Sequence, residues 1–297
     1  MALLAPLYGG AALLIREISV RTGRGWRGTL ALSAAFGVAM PGLIDLSMFG
    51  AHSSELSYWE ELRRPTLIQP LGLALGPTLE WVTGHVLMSI GAPLALLQAL
   101  APAQRRRPLL GRVGIAVISA LFAIAAVLVH FDGRQIYGYT PGPWQVVSVC
   151  LVVLGLIVAA LSRWGQPLAP RKHRDRHVVP LVILLGGIAG KVAIDMVPPT
   201  WLGATGLSAV LVVGFASIHR LTVSGAWGAQ ETGLVGASAV IGGTLTGFLT
   251  PASEGVTFTA KYAQNAVLLL LAVALTVLVW RTTRSDDPPD ASPNTPD

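Results

Sequence analysis

The sequence predicts an all-α, polytopic membrane bundle of about nine transmembrane helices, and three observations carry that prediction. The 297-residue chain is 53% hydrophobic and only 12% charged, against about 25% charged in an ordinary soluble domain. Its mean hydropathy is +0.62. Its apolar residues also gather into runs that approach, with their flanks, the roughly 20 residues a bilayer-crossing helix needs. Among them are "GTLALSAAFGVAMPGLI", "VGIAVISALFAIAAVLV", "VVSVCLVVLGLIVAAL" and "NAVLLLLAVALTVLVW".

Taken in order, the first span is expected near 2–19. "MALLAPLYGGAALLI" lacks a basic leading region and "REISVRTGRGW" follows it. That order is wrong for a cleaved signal peptide, so the segment reads as a short, tilted, retained helix. The second span is expected near 28–49. After it comes the polar stretch "SYWEELRRPT" (57–66), and then "TLIQPLGLALGPT" (66–78), which is apolar but too short to cross. Pro70, Gly72, Gly76 and Pro77 interrupt that segment, so it is expected to lie along the interface or dip into it. Further spans are expected near 78–101, 111–131, 144–162, 178–197, 202–218, 232–250 and 262–281. Gly186/Gly190 and Gly243/Gly247 place small residues four apart, which lets neighbouring helices approach closely. The tail "SDDPPDASPNTPD" (285–297) is acidic, Pro-rich and without a long apolar side chain, so disorder is expected there. Residues 1–284 then form a single transmembrane domain.

Orientation follows from lysine and arginine. With an outside N-terminus, sixteen cationic residues fall on the inner side, in blocks such as Arg16–Arg27, Arg105–Arg107 and Arg171–Arg176. Only Arg63, Arg64, Arg134, Lys191 and Lys261 fall outside. The positive-inside rule therefore selects N-out/C-in for a multi-pass membrane protein. The net charge of +6 is distributed as loops between spans require, and nucleic acid is not an expected partner. The lone Cys150 lies in an apolar run, which excludes a disulfide framework or a paired-cysteine metal site.

The same sorting concentrates chemistry at the outer ends. Eight of the fifteen carboxylates lie there, namely Asp45, Glu55, Glu60, Glu61, Glu80, Asp132, Asp195 and Glu254, beside His52, His85 and His130. Asp45 follows the apolar run of the second span, one turn after Pro41, with Met48 and Phe49 expected on its own face. An ionisable residue at such depth is costly and is a functional candidate by default. Glu80 and Trp81 open the third long span, and Trp81, His85 and Ser89 repeat at helical spacing along one face. Asp195 lies four residues beyond Lys191, the spacing of a structural ion pair. The outer aromatics Phe49, Tyr58, Trp59, Trp81, Trp144 and Trp201 are candidates for a substrate-lining shell, and they are also what a membrane-interface belt provides. His52, His85, His130 and Asp132 have no metal-site spacing, so no metal and no cofactor are expected. "EELRR" does not meet the spacing of a paired-glutamate intramembrane protease, because Pro65 stands where an arginine is required.

The segment "YGGAALLIREISVRTGRGW" (8–26) resembles the N-terminal region of a set of bacterial polytopic proteins. In size, helix content and outer-end acids the chain is similar to the bacterial integral-membrane terpene cyclases of the indole-sesquiterpene (drimentine) type. That resemblance implies proton-initiated cyclisation of a prenyl chain without a cofactor, and it transfers no catalytic residue. The residues suit such chemistry. A carboxyl among apolar helices is kept protonated by desolvation, and a carbocation is stabilised by the faces of aromatic rings. Asp45 and Glu80 are the candidate acids with Glu60 third, and His85 is the candidate acceptor of the final proton. Two other classes stay open: a permease for a small or hydrophobic molecule, with a polar path across the membrane, and a non-catalytic assembly or immunity protein.

Overall fold

The computed structural model describes residues 3–169, 178–252 and 255–284. Glu254, the 285–297 tail and the cationic residues Arg171, Lys172, Arg174 and Arg176 lie outside the described residues. Helices stand at all nine positions read from the apolar runs. They are α1 (5–21), α2 (Trp26–Ile44), α4 (Leu75–Leu100), α5 (Arg112–Tyr137), α6 (Pro143–Leu161), α7 (Pro180–Asp195), α8 (Trp201–Val223), α9 (Ala229–Leu249) and α10 (Phe258–Arg284). Between α2 and α4 lie a one-turn helix, α3 (Trp59–Arg63), and a two-residue hairpin, β1 (Leu67–Ile68) and β2 (Leu73–Ala74). The strands pair antiparallel with Leu67 opposite Ala74, and no other sheet occurs among the described residues. Seven of the helices are long and apolar enough to cross a membrane, so the chain is an all-α, multi-pass membrane protein. The other two are α1 and α7. At 16 residues, α7 rises about 24 Å, less than a hydrocarbon core of about 30 Å.

Local chemistry sets the helix ends. Pro143 and Pro180 begin α6 and α7, where their fixed φ suits the first turn and the missing N–H costs nothing. Thr200 caps α8 by accepting a hydrogen bond from the Gly203 amide, and the Glu231 carboxylate accepts one from the Gly228 amide at the start of α9. Gly138, left-handed at φ 54°, ends α5, as a residue without Cβ does most readily.

Two apolar cores share one helix. The first joins Leu7 and Ile15 of α1, Leu32, Phe36 and Met40 of α2, Ile90 and Leu94 of α4 and Ala125 of α5. The second joins Leu96 and Ala99 of α4 to Ile183 of α7, Leu234 and Ala237 of α9 and Val279 of α10. Because α4 contributes to both, it is the seam of the bundle. The outward faces of α5, α6, α8 and α10 expose Leu128, Leu151, Leu202 and Leu270, the side chains that lipid covers.

Two expectations are corrected in detail. The second span does not run to residue 49: α2 ends at Ile44, and the chain turns at Leu46, a buried leucine in the left-handed region at φ 66°. Met48 and Phe49 thus leave the helix, and the Met48 amide folds back to donate to the Pro41 carbonyl. The 66–78 segment is the hairpin followed at once by the first turns of α4. The Thr66 hydroxyl holds it by accepting from the Gly76 amide at 3.0 Å.

Candidate functional site

Three stretches of helix are wound as π turns: Ala5–Gly9 in α1, Met40–Ile44 in α2 and His85–Gly91 in α4. Such turns account for well under 1% of residues in ordinary proteins, and they recur at functional sites. Here they meet. Tyr8 of the first π turn stacks on His85 of the third, with ring centroids 5.6 Å apart. Phe36 of α2 contacts both rings edge-on, and Phe122 of α5 tilts against Phe36. The second π turn delivers Asp45, which lies within electrostatic reach of Tyr8 and of Tyr137 on α5.

Asp45 lies beyond the last helical residue of α2 and is half-buried. Burial pushes its carboxyl above the usual carboxylate range, and the Ser47 amide, donating to Oδ1 at 2.8 Å, offsets part of that rise. The backbone around it is tightly set. A side chain on Gly133 of α5 would run into the Asp45 carbonyl, so glycine is required for α5 to approach this closely. Leu46 next door holds a left-handed conformation that costs a non-glycine residue on the order of 1–3 kcal/mol.

A second group of rings borders this centre. Trp59 of α3 is buried, stacks on Trp81 of α4 at 5.6 Å and touches Tyr137 at 5.0 Å. Its indole N–H donates to the Gly50 carbonyl at 3.0 Å. Arg63, 4% exposed, lies over the Trp59 ring and donates to the carbonyls of Gly72 and Met48. The hairpin, the Asp45 loop and α3 are thus clasped by one guanidinium, and Arg63 does not bond the neighbouring glutamates among the described residues.

The sequence-derived candidates therefore divide. Asp45, His85, Trp59 and Trp81 stand in or beside this aromatic centre. Phe49 is buried and meets the half-exposed Trp144 edge-on at 6.3 Å. Tyr58 and Trp201 are exposed, as is Glu60, which opens α3 in solvent. Glu80 faces another neighbour: it lies within electrostatic reach of Lys191 and Asp195. Those two form the expected ion pair, with Lys191 itself buried against Gly242 and Gly243. Asp45 and Glu80 thus serve different surroundings. No group of three or more histidine, cysteine or acidic side chains stands together among the described residues as a metal set.

Tyr8, Phe36 and Phe122 were not singled out in the sequence, since one ring in an apolar helix looks like any core residue. Two features at the opposite end of the bundle also escaped. One is a buried ionic clamp, in which Glu17 bonds Arg16, Arg21 and the Leu109 amide. The other is a cavity of about 410 Å³ between the start of α2, the second half of α4, the end of α8 and the start of α9. It is lined by apolar side chains together with Arg27, Gln98, Gln166, His219, Thr222 and Thr232, and by no carboxylate among the described residues. A histidine one turn after Phe215 was the available signal, but the cavity draws on segments as far apart in the chain as Gly25 and Ala239. No protein-family model, curated protein or solved structure matches the chain.

Proposed function

We propose that the chain is a membrane-embedded, cofactor-free cyclase or isomerase of a lipophilic prenylated substrate, with Asp45 as its acid. The observation that supports this most is the packing of the first π turn on the third through Tyr8 and His85, with the half-buried Asp45 carboxyl that follows the second within electrostatic reach of Tyr8. In the proposed step the Asp45 O–H bond breaks and its proton forms a C–H bond with an alkene carbon of the substrate. The alkene π pair is consumed, leaving a carbocation on the adjacent carbon. Rings of the Trp59, Trp81, Tyr137 and Phe36 type stabilise that charge through their faces. A second alkene closes the ring, and loss of a proton to the His85 imidazole, or back to the Asp45 carboxylate, gives a neutral isomer of unchanged mass.

The test is incubation of membranes carrying the protein with a farnesylated indole, followed by mass-resolved chromatography. A cyclised isomer is expected from the parent protein and from Glu80→Gln, and none from Asp45→Asn. Activity retained in both variants would sink the acid assignment.

The reading places the chain in a bacterial inner membrane, N-out/C-in, with all nine helices crossing and the bilayer thinned locally around α7. Its support is the gathering of Arg16, Arg21, Arg24, Arg27, Arg105 and Arg163 at one end of the bundle. In a Cys150→Ala background, Ser57→Cys is expected to react with an impermeant maleimide on intact cells and Ala103→Cys to stay unlabelled. The reverse pattern would refute the orientation.

A carrier for a small or hydrophobic molecule is favoured by one observation, the position of the cavity at the end away from Asp45. That reading expects uptake of unaltered substrate into vesicles, with no isomer formed.

A further inference from the structure

The cavity at the arginine-rich end belongs to neither the aromatic centre nor its chemistry. Its volume of about 410 Å³ falls within the roughly 300–1,000 Å³ of small-molecule sites. Leu30, Leu87, Ala95 and Val235 make one side of it apolar. On the other side stand two nitrogen-bearing groups that the fold leaves poorly satisfied. Among the described residues, the Arg27 guanidinium makes a single hydrogen bond, from Nη2 to the Gln166 carbonyl at 3.4 Å. Its Nε is buried without a partner, and its face rests 5.4 Å over Trp164. The His219 ring stacks on Phe215, and its buried Nδ1 also has no partner.

Buried polar atoms without partners are rare and costly. A guanidinium stays charged in proteins and offers five donors but no acceptor. What would satisfy it is an acceptor-rich anion. Among the described residues no carboxylate lines the cavity to fill that role, and Arg24 and Arg163 add positive charge at the same end of the bundle. The remaining wall calls for hydrocarbon.

We infer that this cavity binds an amphiphile with one anionic head, held by Arg27 and His219, and an apolar chain laid along α4 and α9. A phosphate or carboxylate head supplies the same chemistry, which an anionic membrane lipid or a free amphiphile could bring. Both side chains line the cavity, and in this reading they turn their unpartnered nitrogens towards that head.

The experiment measures binding of dodecyl phosphate to the full-length protein in neutral phosphatidylcholine nanodiscs, and it reads no turnover. Failure here therefore leaves the role proposed for Asp45 untouched. Dodecyl phosphate is expected to bind, with dodecanol at least about tenfold weaker (about 1.4 kcal/mol) and inorganic phosphate alone not detectably. Arg27→Gln and His219→Gln are each expected to weaken binding about tenfold. Arg27→Lys, which keeps the charge, should stay within about threefold and so reports on the site should a glutamine variant fail to fold. Recovery of a co-purified anionic phospholipid that dodecyl phosphate displaces would identify the lipid as the natural source. Equal binding of dodecanol overturns the anionic head, and equal binding of inorganic phosphate overturns the amphiphile. Undiminished binding in folded Arg27→Gln and His219→Gln overturns the site.

Discussion

The two ends of this bundle bury their polar groups in different surroundings. At the Asp45 end the loop is tied down by side chains bonded to its own backbone. The Asp45 carboxyl accepts from Ser47, the Trp59 indole donates to Gly50, and Arg63 donates through Nη2 to Gly72 and Met48 while its Nε stays unpartnered against protein. At the arginine-rich end Glu17 satisfies Arg16 and Arg21, yet Arg27 and His219 beside the cavity are left with unpartnered nitrogens. The contrast teaches what each end is suited to. An aromatic centre with a strained backbone fixes one acid in place, whereas a hollow lined by hydrocarbon and unpartnered nitrogens suits an anionic amphiphile.

The sharpest way to break this comparison is Asp45→Asn. General acid catalysis is worth about 10²–10⁴-fold, and a loss of that order in cyclised product is expected, with dodecyl phosphate binding at the other end unchanged. The pH profile adds a sign. Burial raises the folded-state pKa of Asp45, so the competent, protonated form persists above the ordinary carboxylate range of about 3.9. Turnover should therefore fall as pH rises through that raised value, and a profile flat from pH 4 to 9 would contradict the assignment.

Trp59→Ala comes next. It removes a buried ring stacked on Trp81 and tilted against Tyr137, and truncation of such a residue costs about 3–5 kcal/mol, measurable as a fall in the thermal unfolding midpoint in detergent. Glu17→Gln tests the other end. It leaves two arginines facing a neutral amide in a buried site, and a loss of about 3 kcal/mol is expected. Gly133→Ala drives a methyl group into the Asp45 carbonyl and should cost about 1–3 kcal/mol, with turnover falling more than ligand binding at the far cavity. Tyr58→Ala is expected to change stability by less than about 0.5 kcal/mol, because Tyr58 is exposed.

Much of the Asp45 end was legible in the sequence. A lone acid closing an apolar run, and tryptophans on both sides of a short polar loop, stand out against hydrocarbon. What the sequence hid there was the partner shell. Tyr8 comes from a helix chosen by its hydropathy alone, and Phe36 and Phe122 are single rings in apolar spans. The π turns were equally hidden, since a widened turn is selected by packing between helices. Arg63 stands beside Glu60 and Glu61 in the sequence, yet the hairpin and the Asp45 loop brought backbone carbonyls within its reach.

By itself the sequence determined the class of the molecule and the placement of its helices. Hydrocarbon runs of bilayer length leave the backbone no solution except the helix, and that constraint acts locally. Only the tertiary structure decided which helix serves as the seam, which carboxylate is enclosed by rings, and where space remains. Those depend on which faces of distant segments meet, and helices that are apolar nearly all round carry little in their own sequence to say so. The same physics explains why Asp45 could be picked out as a single residue. The cavity at the other end, assembled from α2, α4, α8 and α9, could not.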